Sequence, residues 1–352
     1  MPAVHYQLGS FPPKHLDWAR LVPKLGPTAA AVARYDGMLA AVPNPAVLLS
    51  PLTTQEAVLS SKIEGTQATM GEVLEFEAGE DAKSSEHRED IREIQNYRSA
   101  MRKAGQLLGK LPLCGRVLLD AHRVLLNSVR GQNKGPGNYR RVTNWIGHEG
   151  STISTARFVP PPPDRVGELM AAWERYAHAQ PEDRLVQIAV LHAEFEAIHP
   201  FADGNGRAGR ALALWELYRR GFDSHHIFSV DEYYWEDRPA YYRALDAVRD
   251  DGGDLTGWLE YCAQGLCRTL DRVWTRVQSY QVKSTGKLVL RPRQEKLLHL
   301  LRDHGSMAPS ELWSALRISK QGAMDLLRPL ISAGLVEKIG TKKTGRYALK
   351  KS

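Results

Sequence analysis

The run from His199 to Arg210, HPFADGNGRAGR, packs a histidine, a carboxylate, two glycines around an asparagine and two arginines three apart into twelve positions. These are the parts needed to handle a polyphosphate. Amides at a helix N-terminus have no intrahelical acceptor and sit at the positive end of the macrodipole, so they attract anions. Gly204 and Gly206 let such amides approach a phosphate with no Cβ in the way. Arg207 and Arg210, one turn apart, can clamp adjacent phosphates with charge-assisted bonds. Asp203 is a hard oxygen ligand suited to Mg²⁺, and His199 titrates near neutrality and can accept a hydroxyl proton. Taken singly, each has an ordinary reading: a helix end before proline, a GNG turn, a solvated basic face. Their coincidence at this spacing points to one site.

The elements that must position these residues are mainly helical. Pro181–Ile198 buries Leu185, Ile188, Leu191, His192 and Phe195 on one face and ends at His199, because Pro200 pushes its predecessor out of the helical region. A new helix starts near Gly206 and runs to Gly221, so the twelve residues form a helix–loop–helix junction. Upstream, Thr53–Gly65 reads as a complete short helix, with Thr53 and Glu56 as a capping box and Gly65 as the left-handed residue after its end. Val58, Leu59 and Ile63 form its apolar stripe. A helix near Ala29–Ala41 follows a proline-rich start. An acidic loop over 77–90 leads to a helix over Ile91–Leu108, and Leu118, Leu119, His122, Leu125 and Leu126 recur at helical spacing. Residues 141–159 break the pattern. The β-formers Val142, Thr143, Trp145 and Ile146, then Gly147 and Gly150, then Thr152, Ile153, Thr155, Phe158 and Val159 predict a hairpin flap. Pro160–Pro163 closes it, and a helix over Asp164–Ala179 follows.

A length of 352 residues gives a prior of about two or three domains. The 43% hydrophobic and 25% charged residues are those of a globular chain. No apolar run is long enough for a membrane span and the start lacks a secretory pattern. Cys114, Cys262 and Cys267 are few, odd in number and without metal spacing, which fits reduced, mostly buried thiols in a cytoplasmic protein. Residues 281–352 hold fifteen Lys/Arg against five Asp/Glu, a net of +10, against +7 for the whole chain. A basic unit on a near-neutral body suggests a polyanion partner for that end. Three short helices and two short strands from about Leu290 onward make a winged helix-turn-helix pattern. Ser319 would cap its recognition helix, which presents Lys320 and Gln321, with Lys342, Lys343 and Arg346 in the wing. Such a unit serves DNA or protein partners alike.

HPFADGNGRAGR resembles the signature of the Fic (filamentation induced by cAMP) family, HPFxxGNGRxxR with an acidic residue before the first glycine. The similarity extends over most of Gly115–Cys267, including the flap and Tyr241–Leu245. The resemblance implies a mainly α fold, a Fic-type helical core with a β-hairpin flap that binds ATP and Mg²⁺ and transfers AMP to a protein hydroxyl. By that resemblance His199 is the general base, Phe201 anchors the loop and Asp203 binds Mg²⁺. Gly204, Asn205 and Gly206 would cradle the α- and β-phosphates, while Arg207 and Arg210, with Ala208 and Gly209 between them, would hold the β- and γ-phosphates. Tyr242 matches a nucleotide-contacting tyrosine, or it packs with Tyr241 and Trp235. Residues 141–159 would receive the target segment as an added strand. Ser60, Glu64 and Gly65 fit the family's inhibitory pattern, in which Glu64 pairs with Arg210 and takes the cation the γ-phosphate needs. The expected units are an N-terminal region 1–112 carrying the inhibitory helix at about 53–65, a catalytic core 113–280 and a winged helix 288–352. The expected function is autoinhibited AMP transfer to a Ser, Thr or Tyr hydroxyl of a target protein or of the protein itself. Alternatives are a nucleotide-sensing DNA-binding regulator, or a Fic enzyme that uses another nucleotide or removes AMP. A homo-oligomer stays open, and a membrane partner is not expected.

Overall fold

The computed structural model describes residues 3–41, 50–77, 81–148, 150–220, 222, 230–250, 252–283, 292–340 and 345–350. A short strand β1 (Val4–His5) leads to helix α1 (Trp18–Ala41), then α2 (Ser50–Ile63), α3 (Met70–Glu77), α4 (Ser85–Leu108) and α5 (Gly115–Leu125). After strand β2 (Phe158–Val159) come α6 (Val166–His178), α7 (Arg184–Ile198) and α8 (Asn205–Arg219). Helices α9 (Asp231–Glu236), α10 (Arg238–Asp250) and α11 (Thr256–Lys283) complete the main body.

Several helices begin earlier or later than their sequence predicts, each for a local reason. Helix α1 starts at Trp18 rather than Ala29 and runs through Pro23 and Pro27. Each proline removes a backbone hydrogen bond; burial of Leu21, Ala31, Tyr35 and Met38 in the cluster shared with α11 offsets that loss. Helix α4 starts at Ser85 rather than Ile91, because the Ser84 side chain caps it by accepting from the His87 amide. Helix α7 starts at Arg184, not Pro181, where Asp183 accepts from the amides of Leu185 and Val186. Its single buried face is also corrected. Val186, Ile188 and Val190 face one apolar cluster while Leu191, Phe195 and Ile198 face the other. Helix α7 is thus the axis on which both cores meet, and residues before and after 112 share them.

The flap is less regular than a hairpin. Its two sides meet at one antiparallel pair, Ile146 with Phe158, and β2 pairs in parallel with β1, Val4 opposite Phe158 and His5 opposite Val159. Val142, Trp145 and Ile153 stay exposed. A lone two-stranded ribbon buries too little to extend its ladder, so pairing persists only where β1 adds an edge.

In the basic end, α12 (Pro292–His304), β3 (Ser306–Met307), α13 (Pro309–Leu316), α14 (Lys320–Ser332), β4 (Val336–Ile339) and β5 (Arg346–Leu349) follow in order. The sheet order is β3-β5-β4, antiparallel throughout, so it has one strand more than expected. Leu297, Leu301, Leu312, Leu327, Leu330 and Tyr347 form a separate core. Ser319 caps α14 as expected, accepting from the Gly322 amide at 3.1 Å. Lys342 and Lys343 lie outside the described residues. Arg346 is no free wing cation: it pairs with Glu311 at 2.7 Å and donates to the Ser306 carbonyl. The three cysteines are unpaired and half-buried rather than mostly buried. Among the described residues no helix is long and apolar enough to cross a membrane.

Candidate active site

The junction between α7 and α8 is built from the left-handed backbone at His199 and Gly204. His199 caps α7 with φ 49° and ψ 60°, a conformation that costs a non-glycine residue about 1–2 kcal/mol. Its amide donates to the Phe195 carbonyl at 2.9 Å, and its own carbonyl accepts from Arg140 Nε at 2.9 Å. Arg140 donates in addition to the carbonyls of Val142, Pro161 and Ile198, so one buried guanidinium ties the loop to both ends of the flap. Gly204, with φ 76°, caps α8 where only glycine turns without strain.

Phe201 is fully buried and stacks on His122, ring centroids 3.7 Å apart. Asn205 bridges the loop, its Oδ1 accepting from the Phe201 amide and its Nδ2 donating to the Phe201 carbonyl, both at 2.8 Å. It therefore holds the turn's shape, and its side chain is spent on the backbone. His122 Nδ1 accepts from the Gly137 amide, which leaves Nε2 to donate to the Asp203 carbonyl at 2.9 Å. Burial, opposed by that carbonyl bond, lowers the His122 pKa to about 4, so it stays neutral. The Asp203 carboxylate accepts from the Gly204 amide at 2.6 Å, and a Cβ on Gly131 would come within 2.7 Å of it. Among the described residues no three His, Cys, Asp or Glu gather as a metal cage. One carboxylate that packs against a glycine suits Mg²⁺ carried by phosphate oxygens and water, and not a resident all-protein site.

The two arginines of the motif are buried and already engaged. Arg207 Nη1 donates to Glu93 Oε2 on α4 at 2.9 Å, and Arg130 approaches the same carboxylate. Arg210 Nη1 pairs with Glu64 Oε1 at 2.9 Å, its Nε donates to Ser60 Oγ at 3.0 Å and its Nη2 to the Ser60 carbonyl at 2.8 Å. Asp231 on α9 lies 3.7 Å from Nε. Helix α2 delivers these partners through its C-terminal end. The Thr66 amide donates to the Ser61 carbonyl and the Gly65 amide to the Lys62 carbonyl, with Gly65 at φ 106°. That Schellman turn leaves Glu64 as the cap residue, aimed at α8. Burial works against the Glu64 charge, but Arg210, then Arg207 and Arg238, outweigh it and hold the carboxyl below its ordinary pKa. A Cβ on Gly206 would collide with the Glu64 carboxylate. Glu64 thus stands at the first turn of α8, where an anionic oxygen would be drawn. Helix α2 begins at Ser50 and not at the capping box read at Thr53 and Glu56, and Glu56 is buried and accepts from the Tyr97 hydroxyl at 3.2 Å. Tyr242 is half-buried beside this turn, its hydroxyl 3.4 Å from the Ile63 carbonyl and its ring 5.3 Å from Tyr241. Trp235 is 38% exposed and outside that stack.

His199 keeps 21% of its side chain exposed, and Nδ1 lies 4.0 Å from Glu196 Oε2. Burial, then the Arg249 charge, drops its pKa to about 3, so the ring is a neutral proton acceptor. Burial raises Glu196 to about 7 and Asp231 to about 6, each opposed by Arg210. Sequence patterning had no hold on Glu93, Arg140, Glu196 or Asp231. Each is a buried polar residue, and only the fold shows what it meets. Ala208 and Gly209 are buried within α8, where Gly209 lets Glu196 pass close to the helix.

Comparison with known proteins bears on this geometry. Residues 22–106 match the Fic/DOC family N-terminal region and residues 112–217 match the Fic/DOC family. The protein adenylyltransferase Fic of Drosophila grimshawi is 29% identical over 217 residues, covering 59% of this chain and 40% of that protein. Its Drosophila melanogaster counterpart is 28% identical over the same length, covering 59% of this chain and 39% of that protein. The chain therefore spans about two fifths of these relatives. A Fic family protein from Desulfovibrio desulfuricans G20 superposes with a TM-score of 0.63 at 23% identity, covering 99% of both chains. Fic-1 (residues 134–508) from C. elegans superposes with a TM-score of 0.57 at 19% identity, covering 74% of each chain. These structural likenesses carry the helical fold. With the two family matches together taking in more than half of the 352 residues, the chain belongs to the Fic/DOC family.

Proposed function

We propose that the protein is an adenylyltransferase that moves AMP from ATP to a Ser, Thr or Tyr hydroxyl of a target protein or of itself, restrained by Glu64. The observation that supports this most is the carboxylate of Glu64 on Arg210 at the first turn of α8, the place and charge of a phosphate oxygen. With Glu64 withdrawn, the α8 N-terminus and Arg210 would take the β- and γ-phosphates, with Arg207 beside them. The target hydroxyl oxygen forms a bond to the α-phosphorus, the bond to pyrophosphate breaks and the proton passes to neutral His199. Nucleotide phosphates near His199 favour its protonated form, which offsets the low pKa set by burial and then by the Arg249 charge. Asp203 would hold Mg²⁺, which when bound neutralises phosphate charge as it develops. Tyr242 and Arg238 would border the nucleotide, and the flap over residues 141–159 would receive the target segment as an added strand. The relatives named adenylyltransferase favour ATP as donor.

Mass spectrometry of the Glu64→Gly protein incubated with ATP and Mg²⁺ tests this. An AMP-sized mass gain on a Ser, Thr or Tyr is the expected result. A folded variant that gains mass only from another nucleotide, or from none, sinks the assignment. A second reading attaches to the basic end. The capped N-terminus of α14, with Lys320 and Gln321 exposed beside a three-stranded sheet, favours a winged helix over about 288–352 that contacts DNA phosphates.

A further inference from the structure

A cavity of about 480 Å³ lies between α4, α8 and α12, with Glu56 of α2 on its wall. That volume is in the range of small-molecule sites. Four guanidiniums line it: Arg98 and Arg102 from α4, Arg219 from α8 and Arg302 from α12. Arg98 pairs with Glu77, Arg219 with Glu216 and Arg302 with Asp303. Arg102 contacts no carboxylate among the described residues; it donates to Ser99 Oγ and to the Asp303 carbonyl, both neutral. Burial and then the neighbouring Arg98 charge lower its pKa, as expected of crowded like charges. The floor is apolar, formed by Met101, Leu108 and Trp215. Trp215 is 3% exposed and its Nε1–H has no acceptor among the described residues, an unmet donor of a kind folded proteins seldom leave.

The cavity also reaches α2, the helix that leads to Glu64. Tyr97 and Glu56 line it, and the Tyr97 hydroxyl donates to Glu56 on α2. The same hydroxyl meets the Ser60 side chain, whose Oγ accepts from Arg210 Nε. One short chain of polar contacts therefore joins the cavity wall to the arginine that Glu64 holds.

We propose that this cavity binds a small anion with an aromatic or apolar body, and that its occupancy is felt at α2 through Tyr97. The anion takes the N–H groups that Arg98, Arg102, Arg219 and Arg302 leave open, and the body packs on Trp215. Because α12 supplies one wall, a ligand there also joins the basic end to the helix that carries Glu64. The effect on α2 rests on the restraint by Glu64 proposed above; the binding does not.

The test uses the full chain and 4-methylumbelliferyl phosphate, followed by fluorescence anisotropy, with phosphate-free 4-methylumbelliferone as control. Saturable binding of the phosphate and none of the control is expected. Arg102→Glu and, from the opposite wall, Arg302→Glu each raise Kd at least about tenfold. No saturable binding, or an unchanged Kd in both variants, overturns the site. Hydrogen exchange over residues 58–66 then reads the coupling directly, without any labelling reaction. Saturating probe changes exchange there in the wild-type protein, and Tyr97→Phe removes the change at probe concentrations that saturate the variant. Unchanged exchange in saturated wild-type protein overturns the coupling, whatever the labelling rate of Glu64→Gly shows.

Discussion

At the residue scale, the site depends on groups kept neutral by burial and on cations kept charged by neighbours. His199→Ala should lower AMP transfer at least about a hundredfold, the usual worth of a general base, and leave ATP affinity nearly unchanged. Radiolabel transfer and calorimetry check the two halves; transfer at the wild-type rate would remove His199 from the chemistry. His192 is also buried, and burial followed by Arg210 lowers its pKa to about 3. A histidine whose folded pKa is depressed binds its proton in the unfolded chain first. Its stabilising effect is whole above the ordinary value near 6.5 and declines as pH falls towards 3, by at most about 1.4 kcal/mol per pH unit for one proton. Urea midpoints measured from pH 7 to pH 4 should therefore fall less steeply in His192→Leu than in the wild type. Parallel slopes would show that His192 does not carry this effect.

At the element scale, α2, α4, α5 and α7 pack around α8, and a buried ion pair fixes one of these contacts. Arg207 and Glu93, 2% and 3% exposed, tie α8 to α4. Glu93→Ala leaves Arg207 buried without a carboxylate, and removal of one partner of such a pair costs about 3–5 kcal/mol. Denaturant unfolding checks this, and a loss under about 1 kcal/mol contradicts the burial. Strand β1 is the other joint. Its Val4 and Tyr6 amides donate to the carbonyls of Arg157 and Val159, and the Tyr6 hydroxyl donates to Glu194 at 2.5 Å. Deleting residues 2–9 should speed exchange of the Phe158 amide at least about tenfold, because one remaining antiparallel pair cannot hold the flap. The capping box expected at Thr53 and Glu56 had the right local pattern. The helix nevertheless begins at Ser50, three residues ahead of Thr53, so the box does not mark its start.

At the scale of the whole molecule, charge is divided between a near-neutral helical body and a basic end with its own core. If that end meets nucleic acid, retention of duplex DNA by the full chain falls steeply between 50 and 200 mM salt, on the order of tenfold or more for a few phosphate contacts. Lys320→Glu flattens the dependence in a filter-binding titration. Salt-independent retention, or none, would leave the basic end to protein partners.

The sequence by itself determined the junction from His199 to Arg210, the helix ahead of Gly65 and the mainly helical class. These are short-range facts: glycines where the backbone turns left-handed, a proline that stops a helix and periodic apolar faces. Only the tertiary structure decided that α7 is buried on both sides, that Arg207 meets Glu93 and that β1 completes the flap. Those pairings join residues more than a hundred positions apart, and their polar partners carry no periodic signal. Burial and charge at the junction emerge only when distant helices close over it.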